Sequence, residues 1–118
     1  MKVISFIFTF LFITQIFAAS SFGHDYETIA ASQTAQVLGG AGAKGNIIEK
    51  LIIIPATTSP GAVTLIDNAT SIVVFPGGAT SVTELKPIVV DISAISVSGA
   101  WKVTTGANVS VIAIGKFL

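Results

Sequence analysis

Short runs rich in Val, Ile and Thr, separated by Gly, Pro and Asn, fill the chain from residue 35 to its end. β-branched residues suit a pleated, half-buried surface, and no stretch keeps the 3.6-residue period of an amphipathic helix. Turn residues recurring about every 8 to 12 positions are typical of a sandwich. The pattern predicts an all-β domain over residues 35–118, a seven- to eight-stranded antiparallel β-sandwich or jelly roll. The predicted strands are 35–38, 47–54, 62–67, 70–75, 87–92, 94–98, 100–104 and 109–115.

Alternation of apolar and polar residues is clearest late in the chain. Ile95, Val97, Trp101 and Val103 fall on one face if the strand continues through a bend at Gly99. We expect this face to point inward, with Trp101 in the core. The turn after residue 105 then predicts a hairpin between this strand and the last one.

Two apolar runs do not alternate, at residues 51–54 and 88–90. Such strands are apolar on both faces, and in a lone sandwich the outer face would be exposed to water. We therefore predict that another subunit covers these runs, which makes a homo-oligomer the expected state.

The start of the chain has a different composition. Lys2 is followed by an apolar run to Ala19 that holds five of the eight Phe residues, and small residues come next. This order predicts a secretory signal peptide or N-terminal hydrophobic helix over residues 1–23, with cleavage near residues 20 to 23. A retained membrane anchor is the alternative, although the run contains polar residues and is short for a span. Either interpretation places the remainder outside the cytoplasm. Residues 24–34 carry no long apolar stripe and are predicted to be a linker or arm.

Composition narrows the range of functions. Six Lys and no Arg balance six acidic residues, so no basic cluster for a nucleic acid is expected. There is no Cys, which removes disulfides, thiolate nucleophiles and Cys-based zinc sites. Only 10% of the residues are charged and 52% are hydrophobic, which indicates that much surface is hidden from water.

One string matches a dinucleotide-binding fingerprint in form: Gly40, Gly42 and Gly45 have the GxGxxG spacing, and Asp67 follows downstream. That fingerprint needs a helix after the glycines, because helix N-terminal amides hold the pyrophosphate. A β-branched run ending at Pro55 follows instead, so we interpret the glycines as a flexible turn and expect no cofactor.

His24, Asp25 and Glu27 form the only cluster of potential metal ligands in the sequence. If cleavage fell after Ser21, His24 would be third in the mature chain, an arrangement that offers nitrogen ligands to copper(II). The favoured interpretation is a solvated arm beside a processing site, so no metal is expected.

No catalytic site is expected either. A Ser or Thr nucleophile needs a base, and the single His lies in the predicted arm. Four further acids, Glu49, Asp67, Glu84 and Asp91, lie at strand ends, in turns or beside a Lys. Paired carboxylates could act on a glycoside, but solvated surface charge is the better interpretation. The protein is predicted not to be an enzyme.

Two glycosylation sequons, Asn68-Ala69-Thr70 and Asn108-Val109-Ser110, fall at predicted turns. Asn also suits such turns without any glycan, because it tolerates left-handed backbone geometry. Both interpretations stay open.

The strings AQVLGGAGAKGNIIEKLIIIPATTSPGAVTLIDNATSIVVFPGG and, more specifically, SVSGAWKVTTGANVSVIAIGKF carry a family resemblance. Over residues 35–117 the chain resembles small, mostly uncharacterised β proteins encoded among the virion genes of tailed phages. That family generally begins near the equivalent of Ser32, so the hydrophobic start departs from its pattern. The resemblance implies a virion-associated decoration or accessory component and brings no catalytic residue with it.

Two functional hypotheses follow. The first is a structural, non-enzymatic virion protein that assembles with copies of itself or with other virion proteins, by burying its Ile and Val faces. The second is an exported or cell-surface module that recognises a glycan or a protein partner through the loops at residues 55–61 and 76–80. In both, a membrane is contacted only through an uncleaved leader.

Overall fold

The computed structural model describes residues 24–118, and every regular element in that range is a β-strand. The predicted N-terminal hydrophobic helix falls within residues 1–23 and lies outside the described residues. The strands are β1 (Asp25–Ile29), β2 (Gln36–Val37), β3 (Ile47–Pro55), β4 (Val63–Asp67), β5 (Thr70–Phe75), β6 (Ile88–Ile95), β7 (Trp101–Thr105) and β8 (Val109–Lys116). The all-β prediction is confirmed.

The eight strands form two four-stranded antiparallel sheets. Sheet A has the order β1-β8-β3-β6, and sheet B has the order β2-β7-β4-β5. Four of the pairings join β1 to β8, β2 to β7, β3 to β6 and β4 to β5. The chain is thus a long antiparallel ribbon, folded back at the β4–β5 turn. Rolling this ribbon adds the β3–β8 and β4–β7 pairs and closes the two sheets over one core.

The core lies between the sheets and follows the two-residue period of the strands. In β8 and β7 every second residue is buried, as the pattern for Val109–Lys116 illustrates, while the intervening residues are half-buried. Sheet A contributes Leu51 and Ile53, both with no exposed surface, and sheet B contributes Leu65 and Trp101. The inward placement of Trp101 and Val103 is as predicted.

Residues 24–34 are not simply a linker. Asp25–Ile29 forms β1, which pairs with β8 along its whole length, from Asp25 opposite Gly115 to Ile29 opposite Val111. Ile29 is fully buried in the core. The sequence does not predict this strand, because only one of its five residues is a large apolar residue that faces inward. One such residue gives no alternation of apolar and polar positions.

The chain changes sheets between β6 and β7, and this overturns two expectations. Ile95 and Val97 do not share the inward face of Trp101: they are 57% and 73% exposed, whereas Ser96 between them is 2% exposed. Gly99 lies in the crossover from sheet A to sheet B rather than in a continuous strand. For the same reason β7 and β8 belong to different sheets and do not form the predicted hairpin.

Candidate functional site

The most unusual surface is the outward face of sheet A, called here the sheet A face. Ile52 lies between two buried neighbours in β3 and points outward, and its register partners across the sheet are Ile112 in β8 and Val89 in β6. Val89 is 55% exposed. The face consists of Tyr26 and Thr28 from β1, Ser110, Ile112, Ile114 and Lys116 from β8, Ile47, Lys50, Ile52 and Ile54 from β3, and Val89, Asp91 and Ile95 from β6. The two runs that do not alternate are therefore apolar on both faces, as predicted.

The residues of the sheet A face lie in rows that cross the strands. One row reads Thr28, Ile112, Ile52 and Val89, and it is apolar apart from the hydroxyl of Thr28. The next row reads Tyr26, Ile114, Lys50 and Asp91, and the row beyond it holds Lys116, Ile47 and Ile95. The charged residues Lys50, Asp91 and Lys116 thus lie toward one end of an apolar surface, on the strands β3, β6 and β8.

The outward face of sheet B differs in composition. Its central strands present Thr64 and Ile66 from β4, and Lys102 and Thr104 from β7. The Thr104 hydroxyl oxygen accepts the backbone N–H of Ala35 at 2.9 Å, so part of this face is already used inside the domain. Of the two outward faces, the sheet A face is the more apolar at its centre.

A second candidate surface is the end of the sandwich where four loops meet, called here the loop end. It holds the connections 30–35, 56–62, 76–87 and 106–108. Backbone hydrogen bonds join them: the N–H of Gly61 donates to the carbonyl of Ala107 at 2.7 Å, and that of Gly106 donates to the carbonyl of Ala62 at 2.8 Å. The N–H of Ser32 donates to the carbonyl of Gly106 at 2.9 Å. The loops are thereby held as one unit.

The two loops singled out from the sequence, at residues 55–61 and 76–80, are brought into contact at the loop end. The N–H of Gly78 donates to the carbonyl of Pro60 at 2.8 Å, and the N–H of Thr80 donates to the Ser59 hydroxyl oxygen at 3.0 Å. Exposed hydroxyl side chains surround these contacts: Thr57, Thr58, Ser59, Thr80, Ser81 and Thr83. Residue 24 precedes β1 at the opposite end of the sandwich, since β1 begins opposite Gly115 and leads into the loop end.

Asp67 ties the β4–β5 turn to the crossover between the sheets. Its carboxylate accepts the N–H of Val97 at 2.9 Å, of Ser98 at 3.1 Å and of Gly99 at 3.2 Å. Hydrogen bonds to a carboxylate stabilise its charged form. The bond from Val97 makes the largest contribution and holds the pKa of Asp67 below its usual value. Burial of the side chain acts in the opposite direction, and the Ser98 and Gly99 bonds add to the lowering. Asp67 therefore has a structural role.

We expect Asp67→Asn to lower the melting temperature at pH 7 and to flatten the acid dependence of stability. The folded pKa lies below the unfolded value of about 3.9, so this carboxylate stabilises the fold above that pH and loses its contribution as the pH falls through the folded pKa. Melting curves between pH 7 and pH 2 measure the effect. Glu84→Gln is the matched control, since Glu84 is exposed and contacts Lys86. Equal melting temperatures for Asp67→Asn and wild type at pH 7 would contradict the assignment.

The cluster His24, Asp25 and Glu27 is divided among different contacts. His24 Nε2 lies 3.7 Å from Glu49 Oε1. Asp25 accepts the N–H of Phe117 at 3.2 Å, and Glu27 accepts the N–H of Gly39 at 2.6 Å, so both carboxylates fasten β1 to its neighbours. Within residues 24–118 no group of three or more His, Cys, Asp or Glu side chains could hold a metal ion.

The four remaining acids also lie in different surroundings. Glu49 is beside His24, Asp67 binds the crossover, Glu84 forms an exposed ion pair with Lys86 at 2.6 Å, and Asp91 lies on the sheet A face. The structure does not bring these four carboxylates together in one cleft. The glycine-rich string at Gly40–Gly45 is a loop followed by strand β3, so it lacks the helix that a dinucleotide site requires.

Both sequon asparagines lie in tight turns. Asn68 connects β4 to β5 and Asn108 precedes β8, and their φ angles are 55° and 60°. Both are exposed. The left-handed geometry accounts for Asn at these positions, and their exposure leaves both side chains open to modification.

Comparison of the chain with protein-family models, with curated proteins and with solved structures gave no match. Nor does any helix in the described part of the chain have the length and hydrophobicity of a membrane span. The sheet A face and the loop end are therefore the features from which a function can be proposed.

Proposed function

We propose that this protein is a non-enzymatic structural component that works by multimeric assembly, as an accessory or decoration protein of a phage virion. The observation that carries the proposal is the sheet A face, where Ile52, Ile112 and Val89 form an outward apolar row. Ile52 and Ile112 are half-buried and Val89 is exposed. Contact of such a row with water is unfavourable, and contiguous apolar surface that is open to water marks interaction sites. Permanent assemblies bury surfaces of this composition.

Two further observations support a virion component. We infer that the rolled ribbon of pairs β1–β8, β2–β7, β3–β6 and β4–β5 is a jelly roll, a fold found in viral capsid and lectin domains. The sequence resemblance to phage virion proteins spans residues 35–117, the part of the chain that builds seven of the eight strands. A fold alone does not specify a function, so the sheet A face remains the deciding feature.

The loop end favours a second candidate function, an exported or cell-surface module that binds a glycan or a protein. Its hydroxyl side chains stand on loops that backbone hydrogen bonds hold together, which is the rigid support that a polar recognition site needs. Residue 24 lies at the other end, so a leader retained in a membrane would leave the loop end pointing away from it.

Ile52→Glu tests the proposed function. We expect the wild type to self-associate at micromolar concentrations, and we expect the variant to associate on the order of 100-fold more weakly, because the assembly would bury an unpaired carboxylate. Sedimentation equilibrium measures the affinity. Ile66→Glu is the matched control: it makes the same change on the outward face of sheet B, beside Lys102, and should associate like the wild type.

A wild type that stays monomeric, or an Ile52→Glu variant that associates as strongly as the wild type, would contradict assembly through the sheet A face. Circular dichroism establishes that both variants fold, which the outward position of Ile52 and Ile66 favours. Specific binding of the monomeric wild type to a glycan array would support the module hypothesis instead.

A further inference from the structure

We infer that the sheet A face is covered by the same face of a second copy of this chain, related by a two-fold axis that runs along the strands between β8 and β3. The inference rests on the proposed function and specifies its partner and geometry. It is drawn from the size of the face and from the placement of its charges toward one end of the strands.

The width of the face selects the kind of partner. Four strands about 4.8 Å apart and about seven residues long give a footprint of roughly 450 Å² per copy, or roughly 900 Å² for two. This footprint lies near the lower limit of specific interfaces, about 1,000 Å², only if the whole face is covered. A helix about 10 Å wide, or one added strand, would leave half of the face exposed. A second four-stranded sheet matches its full width.

The row pattern selects the orientation. A two-fold axis along the strands sets each row against the same row of the second copy, so the apolar row meets an apolar row and the charged row meets a charged row. An axis across the strands would instead set the charged end of the face, with Lys50 and Lys116, against the uncharged end of the second copy, which holds Ile54. The charges therefore favour the first orientation.

Centring the axis between β8 and β3 covers all four strands and fixes the contacts. Ile52 then lies against Ile112 of the second copy, and Ile112 lies against Ile52 of the second copy. Asp91 faces the hydroxyl of Tyr26 of the second copy, which can donate a hydrogen bond to it. The apolar stem of Lys50 lies along Ile114 of the second copy, while its ammonium group extends to the water at the charged end of the face.

Complementary charge variants test this geometry in the full chain. Ile52→Glu and Ile112→Lys are each expected to weaken self-association on the order of 100-fold, since each homodimer would bury two unpaired charges. In an equimolar mixture, the carboxylate at position 52 of one copy meets the ammonium group at position 112 of the other. The second Ile52–Ile112 contact of that heterodimer is unchanged. We therefore expect the mixture to associate at least tenfold more strongly than either variant alone.

Sedimentation velocity of each variant and of the mixture gives the result. A mixture of Ile52→Glu with Ile112→Glu is the matched control: it changes the same two positions but sets two carboxylates against each other, so it should not recover. If the wild type associates and Ile52→Glu does not, but the mixture also stays monomeric, the face is used and the two-fold geometry is overturned. If the wild type is monomeric, the proposed function itself fails.

Discussion

Trp101→Ala is expected to lower the free energy of unfolding by about 3–5 kcal/mol, the usual cost of removing a buried Trp side chain. The side chain is 3% exposed and packs in the core from sheet B. Its indole N–H donates to the carbonyl of Asn46 at 2.9 Å, so it also fixes the chain just before β3 of sheet A. The free energy of unfolding of a domain of this size is about 5–15 kcal/mol in total, so the variant should be largely unfolded under mild denaturing conditions.

Urea denaturation followed by circular dichroism, at a fixed protein concentration, measures the change. Trp101→Phe separates the two contributions, because it keeps most of the apolar volume and removes only the indole hydrogen bond, for a loss of about 0.5–1.5 kcal/mol. The Asn46 carbonyl still accepts the N–H of Ser96 in that variant. A Trp101→Ala protein as stable as the wild type would mean that Trp101 does not hold the two sheets together.

Gly61→Ala should cost about 1–3 kcal/mol through steric overlap at the loop end. A Cβ at position 61 would lie 2.6 Å from the Cα of Gly106 and 2.8 Å from the backbone nitrogen of Ala107. These contacts are with backbone atoms, which cannot rotate away as a side chain can. The hydrogen bond from Gly61 to Ala107 would be stretched as the loops move apart.

Gly40→Ala is the control for this prediction. A Cβ at Gly40 meets nothing within 4 Å, and its φ angle is not in the left-handed region. That substitution should leave stability unchanged or raise it by up to about 1 kcal/mol, because Ala has less conformational freedom than Gly in the unfolded chain. Thermal melts of the two variants give the comparison, and equal melting temperatures would show that the loops yield without cost.

Gly61→Ala should affect the two candidate surfaces, the sheet A face and the loop end, to different extents. Assembly through the sheet A face depends on outward side chains of β1, β3, β6 and β8, none of which lies in the loops that Gly61 joins. Recognition at the loop end depends on the loops that Gly61 joins to Gly106. Gly61→Ala should therefore weaken binding at the loop end more than self-association, which ties the stability prediction to the choice between the two functions.

Sequence reasoning located most strands but not how they pair. The sequence predicts the strand Thr70–Phe75 with the bounds that the structure has, and it predicts the strand Ile47–Pro55 without its last residue. Residues 87–98 were divided into two strands, whereas β6 is continuous from Ile88 to Ile95 with a register irregularity opposite Ile48 and Lys50. The apolar outward row was anticipated as well, because a run without polar residues must place apolar side chains on both faces.

The role of Asp67 could not be found in this way. Its three hydrogen-bond donors lie 30 to 32 residues further along the chain, and no local pattern links the two segments. The burial of Ser96 has a similar origin, since its hydroxyl accepts the N–H of Gly45, which lies 51 residues earlier. The meeting of the loops at residues 55–61 and 76–80 likewise depends on the rolling of the whole ribbon.

The sequence by itself determined the all-β class, the positions of most strands and the apolar character of β3 and β6 on both sides. Those features follow from the two-residue period of a strand, which a few neighbouring residues are enough to express. Only the tertiary structure decided that Asp25–Ile29 is a strand, that the chain crosses between sheets after Ile95, and which side chains share the sheet A face. These features depend on hydrogen bonds between distant segments, and the cost of closing such loops has no signature in local sequence.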